Sequence, residues 1–112
     1  DAFNISKAHL VKCVHQLGRW GFIHAVRGRN GGFRLARPAH EITVGAVLRK
    51  TEDTLELVEC FNSITNSCPL ISDCKLNRVL MRAMKNFMDE MDIVTIDDIT
   101  SNQKNLLALL QP

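Results

Sequence analysis

The 112-residue chain has the length of a single domain, and its composition, 46% apolar and 23% charged, is that of a globular protein rather than a disordered one. It has no apolar run long enough to span a membrane and no charged-then-apolar leader, which disfavours a membrane protein and a secreted one. Four cysteines without a secretory leader favour a reducing cytosol, where cysteines are more often metal ligands or free thiols than disulfides.

The net charge of +2 conceals a very uneven distribution of charge along the chain. Residues 2–40 contain seven basic residues, all four histidines and no Asp or Glu, whereas residues 41–112 contain eleven acidic residues and seven basic ones. A compact basic segment is typical of a nucleic-acid-binding surface. The alternative is a solvated face on which basic residues cluster by chance.

The first predicted element is a helix that begins after Ser6, a favourable N-cap, and ends at Gly21. Ile5 and Leu10 are placed to form a hydrophobic staple at its start. Four apolar positions share one face at helical spacing, and they are Leu10, Cys13, Val14 and Leu17. Because Cys13 lies on this face, we expect it to be a core residue.

A β-hairpin is predicted next, with strands over residues 22–27 and 33–37 and a tight turn at Asn30-Gly31. Arg29 lies at its narrow tip, which fits a DNA minor groove. A polar-faced helix followed by a basic hairpin is the second half of a winged helix-turn-helix, so we expect a two-helix segment before it. The expected DNA contacts are Ser6, Lys7, His9, Lys12, Arg27, Arg29, Asn30 and Arg34.

The second half of the chain is predicted to be helical around a polar loop. Thr43 can cap a short helix over residues 44–50, and residues 51–54 form a connector. A long helix over residues 75–91 has an apolar stripe that favours dimerisation, the alternative being the core helix of a monomer. The stripe comprises Leu76, Leu80, Ala83, Phe87 and Met91, widened by Val79, Met84 and Met88. The residues expected at the dimer interface are Leu76, Leu80, Ala83, Met84, Phe87 and Met91. Thr95 and Asp98 match a capping box for a last short helix, and we expect the leucine-rich tail, residues 106–110, to dock on a partner surface.

Three cysteines, Cys60, Cys68 and Cys74, lie in the loop before the long helix. The residues between them are mostly polar and turn-prone, so the loop has too few apolar residues to hold its own shape. Gathered thiolates suit a soft metal, and the spacing is wider than the usual zinc pattern. Three thiolates and a fourth ligand could hold an iron–sulfur cluster. Zinc, one disulfide with a spare cysteine, and three free thiols stay open as alternatives.

Three motifs in this order resemble those of the bacterial iron–sulfur winged-helix regulators, especially the nitric-oxide-sensing NsrR type. They are the run from Ser6 to Lys12, the wing from Val26 to Leu35, and the three-cysteine loop before a long helix. The resemblance covers the whole chain and implies a cytoplasmic, homodimeric repressor of a double-stranded DNA operator. It also implies a [4Fe-4S] or [2Fe-2S] cluster on the three cysteines, damage to which by nitric oxide relieves repression. The family's opening helices have no counterpart here, so we expect them to be missing from this chain.

One departure separates two branches of that family. The IscR type has a histidine ligand three residues after its third cysteine, where this chain has Asn77. In the NsrR type the fourth ligand resembles a carboxylate from the N-terminal helix of the other subunit. Local carboxylates are the remaining candidates, although most carboxylates are simply solvated charges. They are Asp53, Glu59 and Asp73.

These motifs predict a mainly α fold with a small hairpin wing, divided by function into residues 1–40, 41–59, 60–74 and 75–112. These are the remainder of the winged helix-turn-helix, a connecting helix and linker, the cluster loop, and the dimerisation helix with its tail. A sensor of iron or cluster status is an alternative that Asn77 disfavours. An iron–sulfur electron carrier is disfavoured by the acid-free basic segment. An enzyme is disfavoured because no nucleophile–base pair or phosphate-cradling loop occurs.

Overall fold

A computed structural model of the chain describes residues 3–52 and 55–111. Its longer elements are helix α1 (Lys7–Arg19), strands β1 (Ile23–Val26) and β2 (Gly32–Leu35), and helices α2 (Val44–Thr51), α3 (Lys75–Ile93), α4 (Ile96–Ile99) and α5 (Gln103–Leu110). Short 3-10 helices cover Ala39–Glu41, Glu59–Phe61 and Ile71–Asp73. The prediction of a mainly α protein with a two-stranded hairpin is therefore confirmed. No helix among the described residues is long and apolar enough to cross a membrane.

The chain divides into two compact units. The first, called here the hairpin unit, comprises Asp1–Thr43 and Val94–Pro112, and the second, called the cysteine unit, comprises Val44–Ile93. These units are defined by contacts within the chain. The four segments named from the sequence are defined by function, and that functional division stays a prediction.

Helix α1 begins and ends as its sequence predicts. The Ser6 hydroxyl accepts a hydrogen bond from the backbone N–H of His9 at 3.2 Å, which is a regular N-cap. At the other end Gly21 has a φ of 84°, and its N–H donates to Gly18 O while the N–H of Phe22 donates to Leu17 O. This pair of bonds is a Schellman motif, which satisfies two carbonyls at the helix end. Phe22 is then buried against the unit, so the cap also directs the chain into the hairpin.

The hairpin is shorter than predicted and turns at a different place. Antiparallel pairing runs from Ile23 opposite Leu35 to Val26 opposite Gly32. The N–H of Gly31 donates to Gly28 O at 2.9 Å, so the central residues of the turn are Arg29 and Asn30. The predicted tight turn centred on Asn30-Gly31 is therefore wrong.

Glycine conformation explains where the hairpin turns. Gly28 and Gly32 adopt positive φ values of 112° and 153° on either side of the turn. Asn30 does not have the positive φ that a tight turn with Asn30 as its first central residue would require, and the glycines that flank the turn adopt positive φ instead.

The remaining core of the hairpin unit is organised around Ile42, whose side chain is fully buried. The N–H of Ile96 donates to Ile42 O at 2.9 Å, and an isolated antiparallel bridge joins Thr43 to Thr95. Thr95 and Asp98 form the predicted capping box at the start of α4. That helix ends at Ile99, and the leucine-rich tail forms a separate helix, α5.

In the cysteine unit, α2 packs against α3 around one glycine and one ion pair. A Cβ atom built on buried Gly45 would overlap the Asp92 carboxylate and lie 3.0 Å from the backbone N of Asp92. Arg49 donates to both carboxylate oxygens of Asp92, with Nη2 at 2.8 Å from Oδ2. The absence of a side chain at Gly45 thus permits the close approach that the two-pronged ion pair then holds.

The prediction that Cys13 is a core residue of α1 is wrong. Cys13 is exposed, whereas Val14 and Leu17 are half-buried. A helical residue lies about 100° from its neighbour, so Cys13 turns away when Val14 faces the hairpin. Its Sγ lies 4.0 Å from Nε2 of His9, one turn earlier on the exposed side.

Candidate functional site

The basic surface of the hairpin unit is built from α1 and the wing. All the residues expected to contact DNA are exposed: Ser6, Lys7, His9, Lys12, Arg27, Arg29, Asn30 and Arg34. None of the basic side chains from Lys7 to Arg37 has a carboxylate partner among the residues that the structure describes. Their charges are therefore free to attract an anionic ligand such as a phosphate backbone.

Local geometry points the tip of the wing outward. Arg29 and Asn30 occupy the two central positions of the turn, so their side chains project from the end of the hairpin. A Cβ atom at Gly31 would lie 2.6 Å from Val26 O and 2.7 Å from Gly28 O. Only glycine fits there, and the tip is narrow for that reason.

The cysteine loop is held by polar side chains more extensively than its sequence predicted. Asn62 Oδ1 accepts from the N–H of Ile64 at 3.0 Å and from that of Thr65 at 3.4 Å. Asn66 Oδ1 accepts from the N–H of Cys68 at 3.0 Å. These bonds form Asx turns. The sequence signal for them is asparagine itself at positions 62 and 66, because its side chain readily bonds to the backbone a few residues later. The loop therefore has local order without an apolar core.

Asn77 joins two of the three cysteines. Its side-chain Nδ2 donates to Cys60 Sγ at 3.1 Å, and its backbone N–H donates to Cys74 Sγ at 3.4 Å. Cys74 immediately precedes α3 and Asn77 is the third residue of that helix, so the sulfur occupies the place of an N-cap acceptor. From the sequence, Asn77 is notable only because it stands where the IscR type has a histidine. The sequence signal for its backbone hydrogen bond to Cys74 is the three-residue spacing, which is that between an N-cap residue and its donor.

The structure does not bring the three cysteines into one cluster. All three are half-buried free thiols. Within residues 3–52 and 55–111 no group of three or more His, Cys, Asp or Glu side chains is arranged to hold a single metal ion. Cys60 and Cys74 meet at Asn77, while Cys68 is held through its backbone to Asn66. The donor set nevertheless suits an iron–sulfur cluster, because it consists of three soft sulfurs on one short loop.

The local carboxylate candidates for a fourth ligand differ in their surroundings. Glu59 Oε2 accepts a hydrogen bond from Ser67 Oγ at 3.1 Å, which ties the two sides of the loop together. Asp73 is exposed in the 3-10 helix that leads to Cys74. Asp53 lies outside the described residues. The geometry therefore gives Glu59 a structural contact within the loop.

The apolar stripe of α3 is divided between two faces. Leu80, Met84 and Met91 are half-buried on the same face as the buried Met88. Three other members of the stripe are exposed and share a second face: Leu76, Ala83 and Phe87. Leu76 and Phe87 are 63% and 48% exposed, so both large apolar side chains are available for contact with a partner. Dimerisation through α3 stays a prediction, and its candidate residues are now the exposed ones.

Comparison with known proteins gives consistent results. The family model described as Rrf2, iron-dependent transcriptional regulator, matches residues 1–102. The HTH-type transcriptional regulator NsrR of Shouchella clausii is 46% identical over 111 residues, covering 99% of this chain and 74% of the relative. NsrR of Bacillus subtilis is 37% identical over 111 residues, covering 99% and 76%.

Solved structures share the fold. CymR of B. subtilis, described as the global cysteine regulator, has a TM-score of 0.67 at 23% identity, covering 88% of this chain and 70% of that one. CymR of Staphylococcus aureus has a TM-score of 0.62 at 29% identity, covering 86% and 69%. T. potens IscR has a TM-score of 0.62 at 24% identity, covering 88% and 62%.

The fold that the chain shares with these structures, together with the matching family model and curated relatives, defines it as a winged-helix transcriptional regulator. The chain belongs to the Rrf2 family of transcriptional regulators. The resemblance to the NsrR type is confirmed by several curated relatives of that name at 37–46% identity.

Proposed function

We propose that the protein is a homodimeric repressor in the bacterial cytoplasm that senses nitric oxide through an iron–sulfur cluster. Cys60, Cys68 and Cys74 would hold the cluster, and α1 with the wing would bind operator DNA. The observation that carries the proposal is the hydrogen bonding of Cys60 and Cys74 to Asn77, since it attaches the cysteine loop to the first turn of α3. The relatives named NsrR and the implication of the resemblance support the choice of signal.

The reaction with nitric oxide would be supplied by the bound iron–sulfur cluster rather than by the side chains of the protein. When bound, the cluster would supply iron that reacts with nitric oxide. The chain's own residues would convert its loss into motion, because released thiols at Cys60 and Cys68 no longer restrain the loop. Cys74 remains at the start of α3, so a change in the loop is transmitted to the helix whose exposed face we assign to the dimer.

The dimer would convert that motion into a change of DNA affinity. Two copies of α1 must match half-sites about one DNA turn apart, so a shift of a few ångströms moves one copy out of reach of its half-site. Every tenfold loss of affinity corresponds to only about 1.4 kcal/mol. Breaking a few hydrogen bonds to bases or phosphates is therefore sufficient to relieve repression.

An anaerobic titration tests the proposal. The protein is loaded with iron and sulfide, and a duplex that it binds is selected from a random DNA pool. Nitric oxide is then added while the visible absorption and DNA binding are followed in parallel. We expect the absorption band to bleach and DNA affinity to fall together. Unchanged DNA affinity after complete bleaching would contradict the proposal.

The family description as iron-dependent favours a second candidate, a sensor of iron or cluster status. A chelator added in place of nitric oxide separates the two candidates. A nitric oxide sensor should respond at near-stoichiometric nitric oxide and resist moderate chelation. A status sensor should lose DNA affinity with the chelator alone.

A further inference from the structure

We propose that Asn77 is a positioning residue whose side-chain amide holds Cys60 near Cys74, so that both sulfurs are available to the same cluster. The inference rests on the proposed function and deepens it. Asn77 donates a hydrogen bond to each of two cysteine sulfurs, but through different groups. The bond to Cys74 comes from the backbone and survives any substitution except proline, whereas the bond to Cys60 comes from the side chain.

The surroundings of these atoms make the side-chain bond important for Cys60. Cys60 lies in the 3-10 helix Glu59–Phe61, seventeen residues before Asn77, so chain connectivity does not keep the two close. Cys60, Cys74 and Asn77 are all half-buried, which limits competition by water for the sulfurs. Cys74, in contrast, is held next to α3 by the peptide chain itself.

An amide in this place can donate a hydrogen bond but contributes no negative charge. A sulfur that binds iron keeps lone pairs for a donor, and hydrogen bonds to cluster sulfurs tune the cluster's potential and stability. The carboxamide of Asn77 can therefore support the Cys60 thiolate without repelling it or the neighbouring Cys74. Removal of a residue that orients a ligand typically weakens metal retention about 10–100-fold.

Asn77→Leu tests this role, because leucine has a similar size and favours helix but cannot donate. Asn86→Leu, at an exposed position of the same helix, is the matched control. We expect cluster-loaded Asn77→Leu to lose iron to a chelator about tenfold faster than the wild type, with a shifted visible band. Asn86→Leu should behave as the wild type. Equal iron loss in Asn77→Leu and Asn86→Leu would overturn the proposal.

Two measurements on the cluster-free protein separate this inference from the proposed function. The ratio of alkylation rates of Cys60 and Cys74 should change at least threefold in Asn77→Leu and stay constant in Asn86→Leu. In nitrogen-correlated spectra the side-chain amide signal of Asn77 should move in Cys60→Ala, while that of Asn86 stays in place. An unchanged ratio or an unmoved Asn77 signal would overturn the role of Asn77, whether or not the protein senses nitric oxide.

Discussion

Arg49 and Asp92 form a two-pronged ion pair that joins α2 to the last turn of α3 across 43 residues of sequence. The cysteine loop lies between Arg49 and Asp92 in the chain, so this ion pair joins the two ends of the cysteine unit, which contains the loop. The hydrogen bond from Arg49 lowers the pKa of Asp92, and the bond to Asp92 raises the pKa of Arg49. Both shifts favour the charged forms that the pair requires.

This pair predicts a loss of stability in acid. The pKa of Asp92 is lowered on folding, so its ion pair with Arg49 stabilises the fold at pH values above the ordinary pKa of aspartate. This stabilisation disappears as the pH falls through the pKa of Asp92 in the folded state. Asp92→Asn should therefore lower the urea midpoint at pH 7, and the difference from the wild type should shrink below about pH 4. Glu90→Gln, at an exposed position of the same helix, is the control and should show a smaller effect at pH 7. A pH-independent difference for Asp92→Asn would contradict the prediction.

Gly45 should be intolerant of any side chain. Gly45→Ala places a methyl group against the Asp92 carboxylate and 3.0 Å from the α3 backbone, so α2 must move away. We expect a loss of about 1–3 kcal/mol in urea unfolding, the usual cost of overpacking. The same substitution at Gly18 is the control, since its Cβ would make an ordinary 3.8 Å contact with Ile23 O. Equal effects of Gly45→Ala and Gly18→Ala would show that α2 and α3 do not pack this closely.

The wing should contribute to DNA binding through charge. Replacing Arg27 and Arg29 together by Ala should weaken binding to all sequences and flatten the dependence of affinity on salt, by roughly one unit of slope for each phosphate that is no longer neutralised. Lys104→Ala removes an exposed charge from α5 and should leave the slope unchanged. Fluorescence anisotropy at several salt concentrations measures both. If the double variant keeps the wild-type affinity and slope, the wing does not contact DNA.

Dimerisation should depend on the exposed face of α3. Phe87→Glu should yield stably folded monomers in sedimentation experiments, which bind DNA poorly because one half-site binds too weakly by itself. Leu80→Glu should instead lower the stability of the fold, since Leu80 is half-buried on the face of α3 that also carries the buried Met88. Asn86→Glu serves as a neighbouring control. Wild-type sedimentation of Phe87→Glu would show that this face is not the dimer interface.

The cysteines should divide into three that are needed for the cluster and one that is not. Reconstitution with iron and sulfide under anaerobic conditions should fail for alanine variants of Cys60, Cys68 and Cys74, because loss of one thiolate leaves an iron with an open site. Cys13→Ala should retain the visible band, since Cys13 lies exposed on α1 in the other unit. A band that survives Cys68→Ala but is absent from Cys13→Ala would reverse the assignment.

Features that depend only on neighbours in the chain could be predicted from the amino-acid sequence. Ser6, Gly21 and the Thr95–Asp98 capping box appear in the structure as predicted, because each hydrogen bond they make spans only a few residues. The basic segment and the long helix were likewise readable from composition and periodicity. Such signals need no knowledge of what packs against the element.

Which side of each helix or strand is covered depends on contacts between elements that are distant in sequence. Cys13 and Val14 are adjacent in sequence, yet the packing of α1 on β1 leaves one exposed and the other half-buried. The stripe of α3 has one helical period but divides into a half-buried side and an exposed side, because α2 and the 3-10 helix Glu59–Phe61 cover only part of it. The bond from Asn77 to Cys60 joins residues seventeen apart, and no local pattern encodes a contact made by the folding of a loop onto a helix.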